Sequence, residues 1–87
     1  MKVAVWDTYV AREDGAVMHF DILIQDEYSE EKLAIQLGND YLNSKPFITG
    51  QLTSKECTFC HIERATMEIE VSIKENGYYI IELENCR

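Results

Sequence analysis

No apolar stretch in this sequence approaches the roughly 20 residues that a membrane-spanning helix needs. The opening residues, MKVAVWDTYV, do not make a secretory signal either, because Asp7 ends the apolar run too early for a hydrophobic core region. Positive charge is scarce: 8 basic residues stand against 16 acidic ones, a formal charge of -8. A field of that sign repels phosphate backbones and anionic lipid, which argues against nucleic acid and membrane surfaces as partners. There is no repeat, no low-complexity tract, no Gly-rich phosphate loop, no Ser-His-Asp grouping in a supporting context and no domain boundary. Only three cysteines are present. Without an export signal the expected compartment is the cytoplasm, where such thiols stay free or bind a ligand instead of forming a disulfide framework.

What is present fits one small globular domain spanning residues 1–87. Hydrophobic residues make up 46% and charged residues 28%, a balance that separates the chain from disordered proteins. Lys2 to Val10 is rich in strand formers. Asp14-Gly15 is a hairpin turn signal, and Val17 to Gln25 (VMHFDILIQ) reads as the returning strand. Ser29 is a candidate helix cap, with Glu30 and Glu31 in the first turn where the helix dipole favours them. Leu33, Leu37 and Tyr41, with Ala34 alongside, make an apolar stripe. Gly38 weakens that helix without forbidding it, and Lys45-Pro46 bars its continuation. Ser44 to Lys55 has no clear period and is long for a connection. Glu56 to Glu63 reads as a third strand and Tyr78 to Glu84 as a last one.

Ala65 to Asn76 supports two readings. Met67, Ile69, Val71 and Ile73 alternate as in a half-buried strand. Ala65, Ile69 and Ile73 also fall at helical spacing, with Thr66 as a cap, Glu68 and Glu70 near the start, and Lys74 near the end. Asn76-Gly77 ends a helix or turns a hairpin equally well.

Four segments together, WDTYV, VMHFDI, LTSKECTFCHIERAT and GYYIIELENC, resemble a family of small bacterial proteins catalogued as domain of unknown function 2024. The resemblance covers nearly the whole chain. It implies a compact fold of helices and strands and no established activity, substrate or cofactor. Members of that family often carry proline and more glutamates after the Ala-Thr pair, which is a helix start. Here Met67 stands in place of the proline and Val71 adds an apolar position. The resemblance selects the helix for residues 65–76. The expected fold is therefore α+β in the order β-β-α-β-α-β: a four-stranded, mainly antiparallel sheet with two helices on one face.

The motif C-x-x-C-H (Cys57, Cys60, His61) raises three chemistries. Covalent haem attachment requires export and a loop-to-helix setting, and neither is visible. An intramolecular dithiol needs α-carbons within about 7 Å, whereas three extended steps separate Cys57 from Cys60 by about 10 Å and point their side chains to opposite faces. A zinc site wants four ligands. On an extended strand Cys57 and His61 would share a face while Cys60 points away, with His19 and Cys86 as further ligands. The bland alternative makes Cys60 and Phe59 core or near-core residues, since a free cysteine packs like a small hydrophobe.

Alternation in the second strand puts Met18, Phe20, Ile22 and Ile24 on an apolar face. Val17, His19, Asp21 and Leu23 lie on the other. A two-residue Asp-Gly loop would place Trp6, Thr8 and Val10 beside His19 and Asp21; a three-residue Glu-Asp-Gly loop with a bulge would place Val5, Asp7 and Tyr9 there. If the third strand lies alongside, His61 and one thiol join them. Such a cluster could hold a metal or small ligand or supply an acid–base pair. Otherwise it is a solvated sheet face. The expected function is a non-catalytic binding or interaction module without a cofactor. The alternative is a metal-dependent or small-molecule-binding protein or enzyme that uses His19, Asp21, Cys57, Cys60 and His61, with zinc as the metal to consider. With both helices on one side, the bare sheet face predicts a homodimer packed through it. In a monomer that face would instead be covered by the Ser44–Lys55 loop.

Overall fold

The computed structural model describes residues 1–87. Strand β1 (Lys2–Ala11) and strand β2 (Val17–Gln25) form the central hairpin, followed by a single 3-10 turn at Asp26–Tyr28, helix α1 (Glu31–Asn43), strand β3 (Cys57–Arg64), helix α2 (Met67–Asn76) and strand β4 (Tyr79–Glu84). The sheet order is β3-β1-β2-β4 and every neighbouring pair is antiparallel. The α+β class, the element order and the helix at residues 67–76 are those expected from the sequence.

The hairpin turn fixes everything that follows. Arg12 N–H donates to Ala16 O at 2.8 Å and Gly15 N–H to Arg12 O at 3.1 Å. This is a three-residue loop, and Gly15 takes the left-handed conformation it needs (φ 92°). Ala4 then pairs with Ile24, Trp6 with Ile22, Thr8 with Phe20 and Val10 with Met18. That face carries the main core, closed by Ala34 and Leu42 of α1 and by Leu52. Gly38 is buried in α1 because a Cβ there would come within 2.7 Å of Leu52 Cδ2 and 2.9 Å of Ile22 Cδ1. The buried line of α1 is thus Ala34, Gly38 and Leu42, with Leu33, Leu37 and Tyr41 at its margin.

Several expectations are corrected. The two helices do not share a face. Ile69 and Ile73 of α2 pack on Val3, Val5 and Leu23, the opposite side of the sheet from α1. The chain runs from edge strand β3 to edge strand β4, and α2 crosses the second face on the way. This covers one half of the face on which a dimer was expected and leaves the other half open. Nor does the Ser44–Lys55 segment cover that face. It lies along the first one, with Leu52 in the core and Gly50 N–H donating to Ala11 O at 2.9 Å. Ser29 caps no helix; its Oγ accepts from Trp6 Nε1 at 2.9 Å, and Glu30 precedes α1 without a side-chain cap. Helix α2 has the caps the sequence suggested: Thr66 accepts from Ile69 N–H at 3.3 Å, and Gly77 closes the helix at φ 89°. No helix is long and apolar enough to cross a membrane.

Candidate functional site

The second face of the sheet has a covered half and an open half. Helix α2 seals the end with Val3, Val5 and Leu23. Farther along the same strands, Asp7 stands directly opposite Asp21 and Tyr9 opposite His19. The three-residue turn put them there, as the second of the two hairpin alternatives requires. Hydrogen-bonded pairs alternate with non-bonded ones along an antiparallel ladder, and Arg12–Ala16 is of the bonded kind. Counting back by twos makes Asp7–Asp21 a non-bonded pair, the kind whose side chains lie closer together.

His19 Nε2 and Asp7 Oδ1 are 2.6 Å apart. The donor atoms of Asp7, His19 and Asp21 all lie within 4.8 Å of one another. Tyr9 stacks on the His19 ring at 4.1 Å between centroids and 10° between planes, fixing the imidazole from one side. Like charges directly opposed on neighbouring strands are destabilising. The titration of Asp21 carries the mark of this. Desolvation first, then the hydrogen bond and charge of Asp7, push its carboxyl up from 3.8 to about 6, against the lowering pull of His19 and His61. Desolvation, followed by the charges of Asp7, Glu84 and Asp21, likewise pushes the Tyr9 hydroxyl up.

Both outer strands are irregular at this level. Opposite Val5–Trp6, β3 carries an extra residue, Cys60, between the partners His61 and Phe59. Opposite His19–Phe20, β4 carries an extra residue, Leu83, between Glu84 and Glu82. Such bulges re-aim side chains and occur often beside functional sites.

The bulge in β3 reassigns the C-x-x-C-H residues. Cys57 pairs with Thr8 on the core face and is buried, where desolvation pushes its thiol up. His61 pairs with Val5 on the second face. Cys57 and His61 therefore do not share a face: the extra residue changes the parity that a regular strand would keep. Cys60 is exposed and Phe59 is 46% exposed, so neither is a core residue, although Phe59 meets Trp6 edge-on. All three cysteines are free. Cys86 is buried, its thiol donating to His19 O at 3.4 Å, and it offers no ligand to the open face.

Of the residues singled out in the sequence, His19 and Asp21 come together. His61 stands near enough to act on Asp21 by its charge. Cys57 and Cys60 take no part in the cluster. Asp7 is the member that the ligand set drawn from the sequence lacked.

A family model described as Domain of unknown function (DUF2024) matches residues 1–83. The NMR structure of protein NE1680 from Nitrosomonas europaea is similar over 100% of both chains, with 40% sequence identity and a TM-score of 0.83. No curated protein matches the chain.

Proposed function

The chain belongs to the DUF2024 family, and we propose that it is a cytosolic binding module whose site is the open half of the second sheet face, where Asp7, Asp21 and His19 Nε2 take a divalent transition-metal cation. The observation that carries this reading is the direct opposition of two aspartates beside a histidine. Without a cation that arrangement weakens the fold. With one, the same negative charge becomes affinity. One imidazole nitrogen and two carboxylates suit zinc or manganese by ligand type. Metal–ligand bonds of about 2.0–2.2 Å bring donors to roughly 3–3.5 Å from one another, so the present spread, up to 4.8 Å, closes with small side-chain rotations. Three protein ligands leave positions for water or a second ligand. The three free thiols suit a reducing compartment.

Calorimetric titration of chelator-treated protein with Zn²⁺ and with Mn²⁺ tests the proposal. One ion per chain is expected, with binding lost in Asp7→Asn and in His19→Ala. Heats indistinguishable from buffer for both ions would sink it. A second reading rests on the Asp21 carboxyl at about 6, a value fit for general acid–base work. It gains if neither ion binds while small molecules protect the face.

A further inference from the structure

We propose that Cys60, His61 and Glu63 form a thiol-exchange site, in which Cys60 reacts with low-molecular-weight disulfides while His61 takes its proton and Glu63 holds the imidazole. This lies outside the carboxylate–histidine cluster and does not depend on a metal.

Adjacent residues of a regular strand point to opposite faces. Here the bulge leaves Cys60 as the extra residue between His61, paired with Val5, and Phe59, paired with Trp6, and the side chains of Cys60 and His61 meet: Cys60 Sγ is 3.2 Å from His61 Nδ1. Glu63, two residues along and on the same face, has Oε1 3.2 Å from His61 Nε2. A nucleophile, a base within hydrogen-bond reach and a third group orienting that base make the arrangement that activates a thiol. Glu63 lets Nε2 keep its proton, so that Nδ1 faces the sulfur as the acceptor.

Access is selective. Cys60 lies on edge strand β3 and is exposed, whereas Cys57 and Cys86 are buried. Cys57 sits on the other face of the sheet, so Cys60 has no intramolecular partner to resolve with. The chemistry is then a single exchange. The Cys60 proton passes to His61 Nδ1. The thiolate attacks one sulfur of a disulfide R–S–S–R, forming Cys60–S–S–R as the old S–S bond breaks. The departing R–S⁻ takes the proton from His61 and leaves as R–SH. The protein thiol is oxidised, half of the small disulfide is reduced, and excess R–SH reverses the step.

The test is the rate of reaction with 4,4′-dithiodipyridine, an uncharged disulfide that the acidic surface does not repel, in the presence of chelator. In the folded protein one thiol should react, mapping to Cys60 by peptide mass, and Cys60→Ser should abolish the signal. At pH 7 Cys60 should react about tenfold faster in the native state than in urea, and His61→Asn should remove that advantage, which is less than the roughly 10²–10⁴-fold of a base aligned in a closed active site because this site is open to solvent. At pH 10, where accessible thiols are ionised, native wild type and His61→Asn should react alike. Glu63→Gln should slow the pH 7 reaction two- to threefold. Equal native and unfolded rates at pH 7 would overturn the proposal, as would a His61→Asn rate matching wild type or a label on another cysteine. The native-to-urea ratio needs no variant to fold.

Discussion

Replacing Asp21 with asparagine should stabilise the metal-free protein at pH 8 and do little at pH 4. The folded state raises this carboxyl from 3.8 to about 6, so folding favours its neutral form. The stability it brings is complete below 3.8 and is lost as the pH climbs through about 6. At pH 8 the wild type holds two carboxylates face to face. The shift of about two pH units corresponds to a ceiling of about 3 kcal/mol. Asp21 is only partly buried, and solvent screening brings this to about 1 kcal/mol. Asparagine keeps the shape, removes the charge and can donate its amide N–H to Asp7. In a domain of this size that is a rise of roughly 4–8 °C in Tm. Thermal unfolding followed by circular dichroism, with chelator, at pH 8 and pH 4 reads it directly. A lower Tm for Asp21→Asn at pH 8, or the same shift at both pH values, would refute the argument. Saturating Zn²⁺ should reverse the ranking, since a ligand at 100 times its Kd adds about 2.7 kcal/mol to a protein that binds it and nothing to one that does not.

Asn39 clamps the long segment after α1: its Nδ2 donates to Leu52 O at 3.1 Å and its Oδ1 accepts from Leu52 N–H at 2.9 Å. Asn39→Ala leaves both Leu52 backbone groups unpaired next to the core, which should cost about 2 kcal/mol and speed amide exchange across residues 44–56; unchanged exchange there would show that Leu52 packing alone holds the segment. Thr66→Ala removes the acceptor for Ile69 N–H and should cost about 1 kcal/mol in urea denaturation, with a loss under a few tenths meaning that the cap contributes nothing.

Much of the fold could be read from local chemistry. The alternation of β2, the Asp-Gly turn, the stop at Pro46 and the caps of α2 are each decided by a few neighbouring residues. The side of the sheet that α2 covers is a property of the whole path. Ile69 and Ile73 say that the helix has a buried stripe, not which face receives it. A clue was available: Val3, Val5 and Leu23 gather at one end of the second face, and together with Ile69 and Ile73 they make a small core. Ser29 shows the opposite limit. Its cap chemistry is sound in isolation, but the Trp6 indole competed for the same oxygen. The bulge in β3 left a trace as well. Phe59 and Ile62 are three apart, a spacing that breaks a period of two, yet they pair with Trp6 and Ala4 on one face.

Asp7 joins these observations, because the same turn decides both the core and the site. A two-residue loop would shift β1 by one step relative to β2 and exchange its faces. Asp7 would then enter the layer of Met18, Phe20 and Ile22, which is fully buried, and Trp6 and Val10 would face outward. An unpaired carboxylate in that layer would cost several kcal/mol. Asp7 therefore works against the wrong register, and the extra residue at Glu13-Asp14-Gly15 supplies the right one. In the register that results, Asp7 cannot avoid Asp21. Satisfying the hydrophobic core on one face thus imposes the carboxylate pair on the other. Register alone does not, however, require that both positions be acidic. Threonine or asparagine at residue 21 would keep the alternation of β2 and avoid the repulsion. An aspartate there raises the energy of the fold by its charge above about pH 6, a cost that the cation site proposed above would turn into affinity.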